Sequence, residues 1–323
     1  MQKPLKILVV RFSSIGDIVL TSPVLRCIKN QLSADLHYLT KSKYSPVLNN
    51  NPNIDKLYTI SKSISEVLDE LKTEKYDLII DLHNNIRSLS LSIKLQVKCI
   101  RYYKHNFKKL VYILFGINII EERHVLDCYF SKLDSIGVFD DNLGLDFFIN
   151  KSDSFIYDTS QKYISWCIGA SYQNKKLSYD QILYVCNRIN LPIVLLGDEN
   201  DKELGLLVQS NTTNKKVQSF CGDLSLQESS YLLKNSLLVL TNDTGLMHIA
   251  AAFNKKIISF WGCTKPSLGF FPLIPKENST ILLSSNKRPC SKHGKYCRIS
   301  KTGCVKKIHP EIILKSIKDL LTE

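Results

Sequence analysis

Short apolar runs recur along the chain, each followed by a turn-forming cluster and a stretch with apolar residues at helical spacing. Strands are predicted at Leu5–Val10, Leu36–Thr40, Lys56–Ile60, Tyr76–Leu82 and Val97–Tyr103. Helical patterns lie between them, from Ile18 to Leu32 and over 43–50, 62–74, 85–95 and 122–136, the last ending at Gly137. Pro23 is tolerable only near a helix start, because it lacks a backbone N–H. Residues 138–162 change character: a turn at 140–144, a short strand at Leu145–Ile149, then polar sequence without period. A domain boundary is placed there, giving domains 1–155 and 156–323. Alternation restarts with strands Tyr163–Gly169, Pro192–Leu196, Lys216–Phe220, an apolar run from Leu237, and Lys256–Trp261. Helices are predicted over 178–190, 200–210, 226–235, after Gly245, and at His309–Leu321; this last one could pack back on the N-terminal domain. Strand–helix alternation of this kind implies α/β domains whose parallel sheets are covered on both faces.

In such sheets ligands bind beyond the carboxyl ends of the strands. The turns at Ser13–Asp17, Ala170–Lys176, Gly197–Glu199, Cys221–Leu224 and Asn242–Gly245 all fall there. The sharpest is Thr241-Asn-Asp-Thr-Gly245, between an apolar run and the small-residue helix Leu246-Met-His-Ile-Ala-Ala-Ala252. Free N–H groups at such a helix start favour an anion, often a phosphate; an ordinary, closely packed βα turn is the plainer reading. No G-x-G-x-x-G follows the first strand, and no G-x-x-x-x-G-K-[ST] occurs, so neither a dinucleotide enzyme nor a phosphate-loop NTPase is indicated. There is no Asp-x-Asp pair to clamp a metal on a diphosphate.

With 44% hydrophobic and 23% charged residues over 323 positions, two globular domains of ordinary size are expected. No stretch is apolar enough to span a bilayer, and the first apolar run is too short for a signal peptide, so a cytoplasmic protein is expected. The formal net charge of +13 favours acidic partners, with basic clusters at 98–109 and 287–307. Of ten Cys, seven (27, 99, 128, 167, 186, 221 and 263) are scattered singly and read as core thiols. Cys290, Cys297 and Cys304 are evenly spaced in a basic loop, with His293 and His309 nearby. Their six-residue gaps differ from the short spacing of structural zinc sites. Free or occasionally paired thiols are therefore expected, with zinc as the alternative and no catalytic metal.

Arg11-Phe-Ser-Ser-Ile-Gly-Asp17 and Asn242-Asp-Thr-Gly-Leu-Met-His248 together resemble glycosyltransferase family 9, the ADP-heptose:lipopolysaccharide heptosyltransferases. Ile168-Gly-Ala-Ser-Tyr-Gln-Asn-Lys-Lys176 and Phe260-Trp-Gly-Cys-Thr-Lys-Pro266 fall where that family has matching segments, although Cys263 stands where Pro is common. The resemblance implies the GT-B arrangement of two facing Rossmann-like domains, with acceptor on the first and nucleotide sugar on the second. It implies an inverting, metal-independent transfer of a sugar, a heptose, from an ADP-sugar to an acidic lipopolysaccharide core acceptor. No cofactor is then expected beyond the co-substrate.

By the same resemblance Asp17 matches the general base; a helix N-cap is its plainer role. Lys175 matches a phosphate-binding lysine, with Lys176 adjacent and the register open. Ser171 would add a hydroxyl donor, and Thr244 and Gly245 backbone N–H groups. Glu199 matches a ribose-binding acid, Leu224 an apolar position near adenine, and Asp243 a residue near the donor sugar. His248, one turn past Thr244, could reach the phosphates or simply pack. On the acceptor side the resemblance points to Ser13, Ser14 and the segment Asp81–Arg87, where Arg87 could pair with a phosphate or carboxylate or lie on plain surface. The partners implied are a nucleotide sugar, a phosphorylated lipid-linked oligosaccharide and the anionic inner membrane leaflet, met peripherally. The alternatives are a glycosyltransferase of the same fold using another nucleotide sugar or acceptor, a nucleotide-sugar epimerase, and a non-catalytic nucleotide-sugar binder. Nucleic acid is not expected, because only Arg101-Tyr-Tyr-Lys-His105 mixes aromatic and basic residues.

Overall fold

The computed structural model describes residues 4–120, 123–150, 157–285 and 288–322. The chain separates into two compact units. One holds residues 1–104 and 123–150; the other holds 105–122 and 151–323. The 155/156 boundary set from sequence lies outside the described residues. The structure also assigns 105–122 to the second unit, where the sequence placed it in the first domain.

The first unit runs β1 (Lys6–Val10), α1 (Ile15–Val19), α2 (Ser22–Leu32), β2 (Asp35–Lys41), β3 (Lys56–Ile60), α3 (Leu68–Thr73), β4 (Leu78–Asp81), α4 (Ile86–Leu95) and β5 (Cys99–Arg101). After α5 (Asn106–Phe115), which belongs to the second unit, α6 (Val125–Leu133) completes it. Every strand pair is parallel and the order is β3-β2-β1-β4-β5. Ile7, Leu8 and Val9 of β1 are fully buried, as a central strand covered on both faces requires. The single helix expected over 18–32 is two, broken just before Pro23, which enters the first turn of α2. The stretch 43–50 forms only a 3-10 turn at Ser42–Val47. Leu145–Ile149 is not a strand. Arg26 instead ties that segment down, bonding Asp141 through Nε and Nη2 at 2.7 Å each, the Gly144 carbonyl at 2.9 Å, and Asp146.

The second unit continues with β6 (Ile164–Cys167), α7 (Tyr179–Cys186), β7 (Ile193–Leu196), α8 (Lys202–Asn211), β8 (Val217–Ser219), α9 (Leu226–Asn235), β9 (Leu238–Asn242), α10 (Gly245–Ala252), β10 (Ile257–Trp261), β11 (Ser279–Leu283) and α11 (Pro310–Thr322). Its sheet is again all parallel, in the order β11-β10-β9-β6-β7-β8. Trp166 and Phe260 meet in its core, their ring centroids 6.3 Å apart. Ile313, Ile317 and Leu320 of α11 join that same core and α11 packs on α7, so the last helix closes its own unit.

The two sheets share one logic. In each, the first strand (β1 or β6) lies between its successor and a strand reached by crossing over (β4 or β9). The crevice at that reversal, beyond the strand ends, is where open α/β sheets hold ligands.

Candidate functional site

In the first unit the reversal brings together the turns after β1 and β4. Ser14 has extended backbone and is the N-cap of α1, while Asp17 is the third helical residue. Asp17 Oδ2 accepts from the Ser14 backbone N–H at 3.1 Å and from Ser14 Oγ at 2.8 Å. Asp17 is therefore not the N-cap itself. Its other oxygen lies 2.7 Å from Arg11 Nη2, and its side chain keeps 24% exposure. Burial pushes this carboxyl up, but Arg11 and the Ser14 donors outweigh that, and the net shift is below the ordinary value. Arg11 is buried and fixed from the rear: it donates to the carbonyls of Leu82 and Ser13 and reaches the hydroxyls of Tyr102 and Tyr129. The result is a carboxylate held ionised and about a quarter open to solvent.

An open cleft of about 470 Å³ lies in the same unit, lined by Phe12, Ser13, Lys41, His83, Asn85, Ile86 and Arg87. Ser13 and Arg87 thus meet in one place, whereas Ser14 does not line it. Arg87 rests over the Phe12 ring at 5.8 Å. His83, edge-on to Phe12 at 5.1 Å, has its pKa pushed down to about 3 by burial and by Arg11, so it is neutral at pH 7. Lys41 and His83 were not among the site residues read from sequence. His83 falls in the quoted segment after β4, but only burial reveals its neutral state; Lys41 is one lysine among many.

In the second unit the reversal joins the turns after β6 and β9. Asn242, 1% exposed, ties them, its Nδ2 donating to the carbonyls of Ile168 at 2.9 Å and Gly169 at 3.1 Å. Thr244 is the N-cap of α10, yet its side chain makes no capping bond, and Thr244 Oγ1 is buried without a hydrogen-bond partner among the described residues. A helix start with its N–H groups and a hydroxyl all unspent is a cradle for an anion. Lys175 stands beside it, its Nζ 2.7 Å from Asp243 Oδ2, which also accepts from Thr264 at 2.7 Å.

The neighbouring lysine has a different task. Lys176 Nζ pairs with Asp201 Oδ1 at 2.5 Å, with side-chain exposures of 7% and 2%. Asp201 in turn accepts from the Asp198 N–H at 3.1 Å, so this pair binds the loop after β6 to the turn after β7. That separates the lysines: Lys175 faces the cradle and Lys176 is spent inside the fold.

Glu199 is exposed in the turn after β7. A Cβ at Gly222 would sit 2.6 Å from Glu199 Oε2, so the carboxylate lies over the turn that leads to half-buried Leu224. Ser171 is exposed in the loop after β6, and His248 is buried in α10 at 4% exposure. The sequence reading quoted Asn242 and Thr264 in their motifs but gave neither a role. Cys263, counted there among the scattered core thiols, instead lies with Cys290, Cys297 and Cys304.

Known proteins share the sequence pattern and the fold. Residues 64–301 match the profile of "Glycosyltransferase family 9 (heptosyltransferase)". The lipopolysaccharide heptosyltransferase 1 of Campylobacter coli is 26% identical, over 98% of this chain and 99% of its own length. The solved family 9 glycosyltransferase of Veillonella parvula superposes with a TM-score of 0.82 at 23% identity, covering 100% of this chain and 99% of that one. An Escherichia coli heptosyltransferase solved with ADP gives 0.71 at 14% identity, covering 98% and 100%. The two parallel-sheet units are accordingly the Rossmann-like domains of a GT-B fold. With its match spanning most of the chain, this protein belongs to glycosyltransferase family 9, the heptosyltransferases, and is a glycosyltransferase.

Proposed function

We propose that the chain transfers a heptose from ADP-heptose to an acidic acceptor of the lipopolysaccharide core, with inversion and without a catalytic metal. The observation that carries this reading is the cradle of the second unit: Lys175, the orphaned Thr244 hydroxyl and the N–H groups at the start of α10. A nucleoside diphosphate leaves with growing negative charge. Fixed cationic and N–H donors neutralise that charge without reorganising. Glu199 accepts from the ribose hydroxyls, and the Leu224 side chain packs against the base. Asp243, braced by Lys175 and Thr264, is set to accept from hydroxyls of the sugar.

Asp17 acts as general base. An acceptor hydroxyl attacks the anomeric carbon, a new C–O bond forms there, and its proton passes to the Asp17 carboxylate. The bond to the β-phosphate oxygen breaks and ADP leaves from the opposite face. The Arg11 partnership keeps the carboxylate deprotonated before each turnover. The cleft with Lys41 and Arg87 suits an acceptor bearing phosphate or carboxylate, for which guanidinium is a bidentate partner. The test is a donor panel. Purified chain with lipopolysaccharide core acceptor should release ADP from ADP-heptose and show much slower release from ADP-glucose or UDP-sugars. Turnover of a UDP-sugar in preference to ADP-heptose would refute the donor assignment.

The same reading includes peripheral contact with an anionic membrane. On α5 and just beyond it, Phe107, Leu110, Leu114, Phe115, Ile117 and Ile119 are all 45–70% exposed, beside Lys104 and Lys108. An apolar face flanked by cations is the chemistry of interfacial helices. The chain should co-sediment with vesicles containing phosphatidylglycerol and stay in the supernatant with purely zwitterionic ones. Phe107→Glu with Phe115→Glu should abolish the sedimentation; retention by the double variant would remove α5 from the proposal.

A further inference from the structure

Between β11 and α11 the described chain forms neither helix nor strand beyond a 3-10 turn at Cys304–Lys307. It has little apolar material of its own. The cluster at its centre consists of Cys263, Cys290 and Cys304, with Cys297 and Ile299 packed against them. Cys263 comes from the end of β10, far back in sequence, and Cys290 N–H donates to its carbonyl at 2.8 Å. The sulfurs of Cys263 and Cys304 are 3.9 Å apart, as are those of Cys290 and Cys297. All four sulfurs lie within 4.8 Å of one another. A tetrahedral tetrathiolate ion, with metal–sulfur bonds of about 2.3 Å, needs sulfurs about 3.8 Å apart.

We propose that Cys263, Cys290, Cys297 and Cys304 bind one thiophilic metal ion, of which zinc is the best fit, and that this ion staples the loop against the Lys175 segment. The binding is a proton exchange with no redox step: four thiols give up four protons and the divalent ion takes four thiolates. The resulting site carries a net charge of minus two, and the loop is rich in compensating cations: Arg288, Lys292, Lys295, Arg298, Lys301, Lys306 and Lys307, with buried Lys265 two residues after Cys263. Four sulfurs around one point select zinc or iron over harder ions, and zinc imposes no geometry of its own.

The loop closed by this ion embraces the donor lysine. Asn174 Nδ2 donates to the carbonyls of Gly294 at 3.4 Å and Lys295 at 3.1 Å. A Cβ on Gly294 would lie 2.6 Å from Lys175 Cγ, and one on Gly303 2.7 Å from the Asn174 backbone, so both glycines let the loop close over this segment. The metal site stands independently of the enzymatic reading; only its effect on the donor rests on that reading.

The test begins with metal analysis of the full chain, grown with zinc supplementation and purified without chelator. One equivalent of zinc per chain is expected. A coloured protein with one equivalent of iron supports the same site with the other ion. Cys290→Ser and Cys304→Ser should each drop the content below about a tenth of an equivalent, whereas Cys128→Ser should retain it. Should the serine variants fail to fold, the wild-type protein still decides. Titration of its thiols with a mercurial should release the ion to a chromogenic chelator, and cobalt(II) exchange should give the intense bands of tetrahedral thiolate coordination. Metal-free chain with all its thiols titrating, or an intact mass reduced by disulfide formation, overturns the proposal. Metal loss that leaves the KM for the nucleotide sugar unchanged overturns the staple's effect on Lys175.

Discussion

Asp17→Asn should lower the transfer rate by about two to four orders of magnitude, the usual worth of a positioned general base. The amide keeps the shape of the carboxylate and can still accept from Ser14 or Arg11, so the helix start should survive. It cannot take a proton from the acceptor hydroxyl at any useful pH. The loss should fall on kcat, with the KM for the nucleotide sugar changed by less than about threefold, since the groups proposed for the diphosphate lie on the other unit. The pH dependence gives a second reading of the same group. Because the folded Asp17 titrates below its ordinary value of 3.8, the acid limb of kcat/KM should lie below that value too. Weakening the pair by Arg11→Lys should move the limb to higher pH. The sign for stability follows from the same shift. The pair's contribution is present above the unfolded carboxyl's range and is lost as pH falls through the lowered folded value. Transfer by Asp17→Asn at a near-normal rate would dismiss this residue as base.

The adjacent lysines should separate into opposite phenotypes. Lys175→Met should reduce kcat/KM for the nucleotide sugar by about two to three orders of magnitude, the cost of one donor to a developing oxyanion, while thermal stability changes little. Its pair with Asp243 is partly exposed, and Asp243 keeps the Thr264 hydroxyl. Lys176→Met should do the reverse. It leaves Asp201, 2% exposed, as an uncompensated buried charge, at a cost of about 3 to 5 kcal/mol in unfolding free energy. Denaturant midpoints and donor kinetics on both variants check this. If Lys176→Met loses donor affinity at full stability, the assignments exchange.

Much of the architecture was legible because central parallel strands are continuous apolar runs, and those punctuate the chain unmistakably. The turns at Ser13–Asp17 and Asn242–Gly245, both expected at strand ends, fall at the two sheet reversals. What was hidden depended on partners distant in sequence. Nothing local distinguishes Lys175 from Lys176; the buried carboxylate of Asp201, 25 positions on, does. The cysteine triplet could be seen, but its fourth member sits at a strand end where a thiol reads as core. Helix α5 escaped notice because Leu110–Phe115 is an unbroken apolar run, which shows no helical period. The expected strand at Leu145–Ile149 is replaced by a segment held through side chains: Arg26 binds the Gly144 carbonyl and the Asp146 carboxylate, and the Asp146 N–H donates to the Ser22 hydroxyl.

The excursion of residues 105–122 has a practical corollary for engineering. Neither half of this enzyme is one uninterrupted segment, since the polypeptide passes between units after Lys104, after Glu122 and after Asn150. Exchanging the second unit between relatives by a single splice near position 150 would graft a new unit onto the old parent's Asn106–Phe115. A faithful chimera exchanges that helix as well, through three splices rather than one.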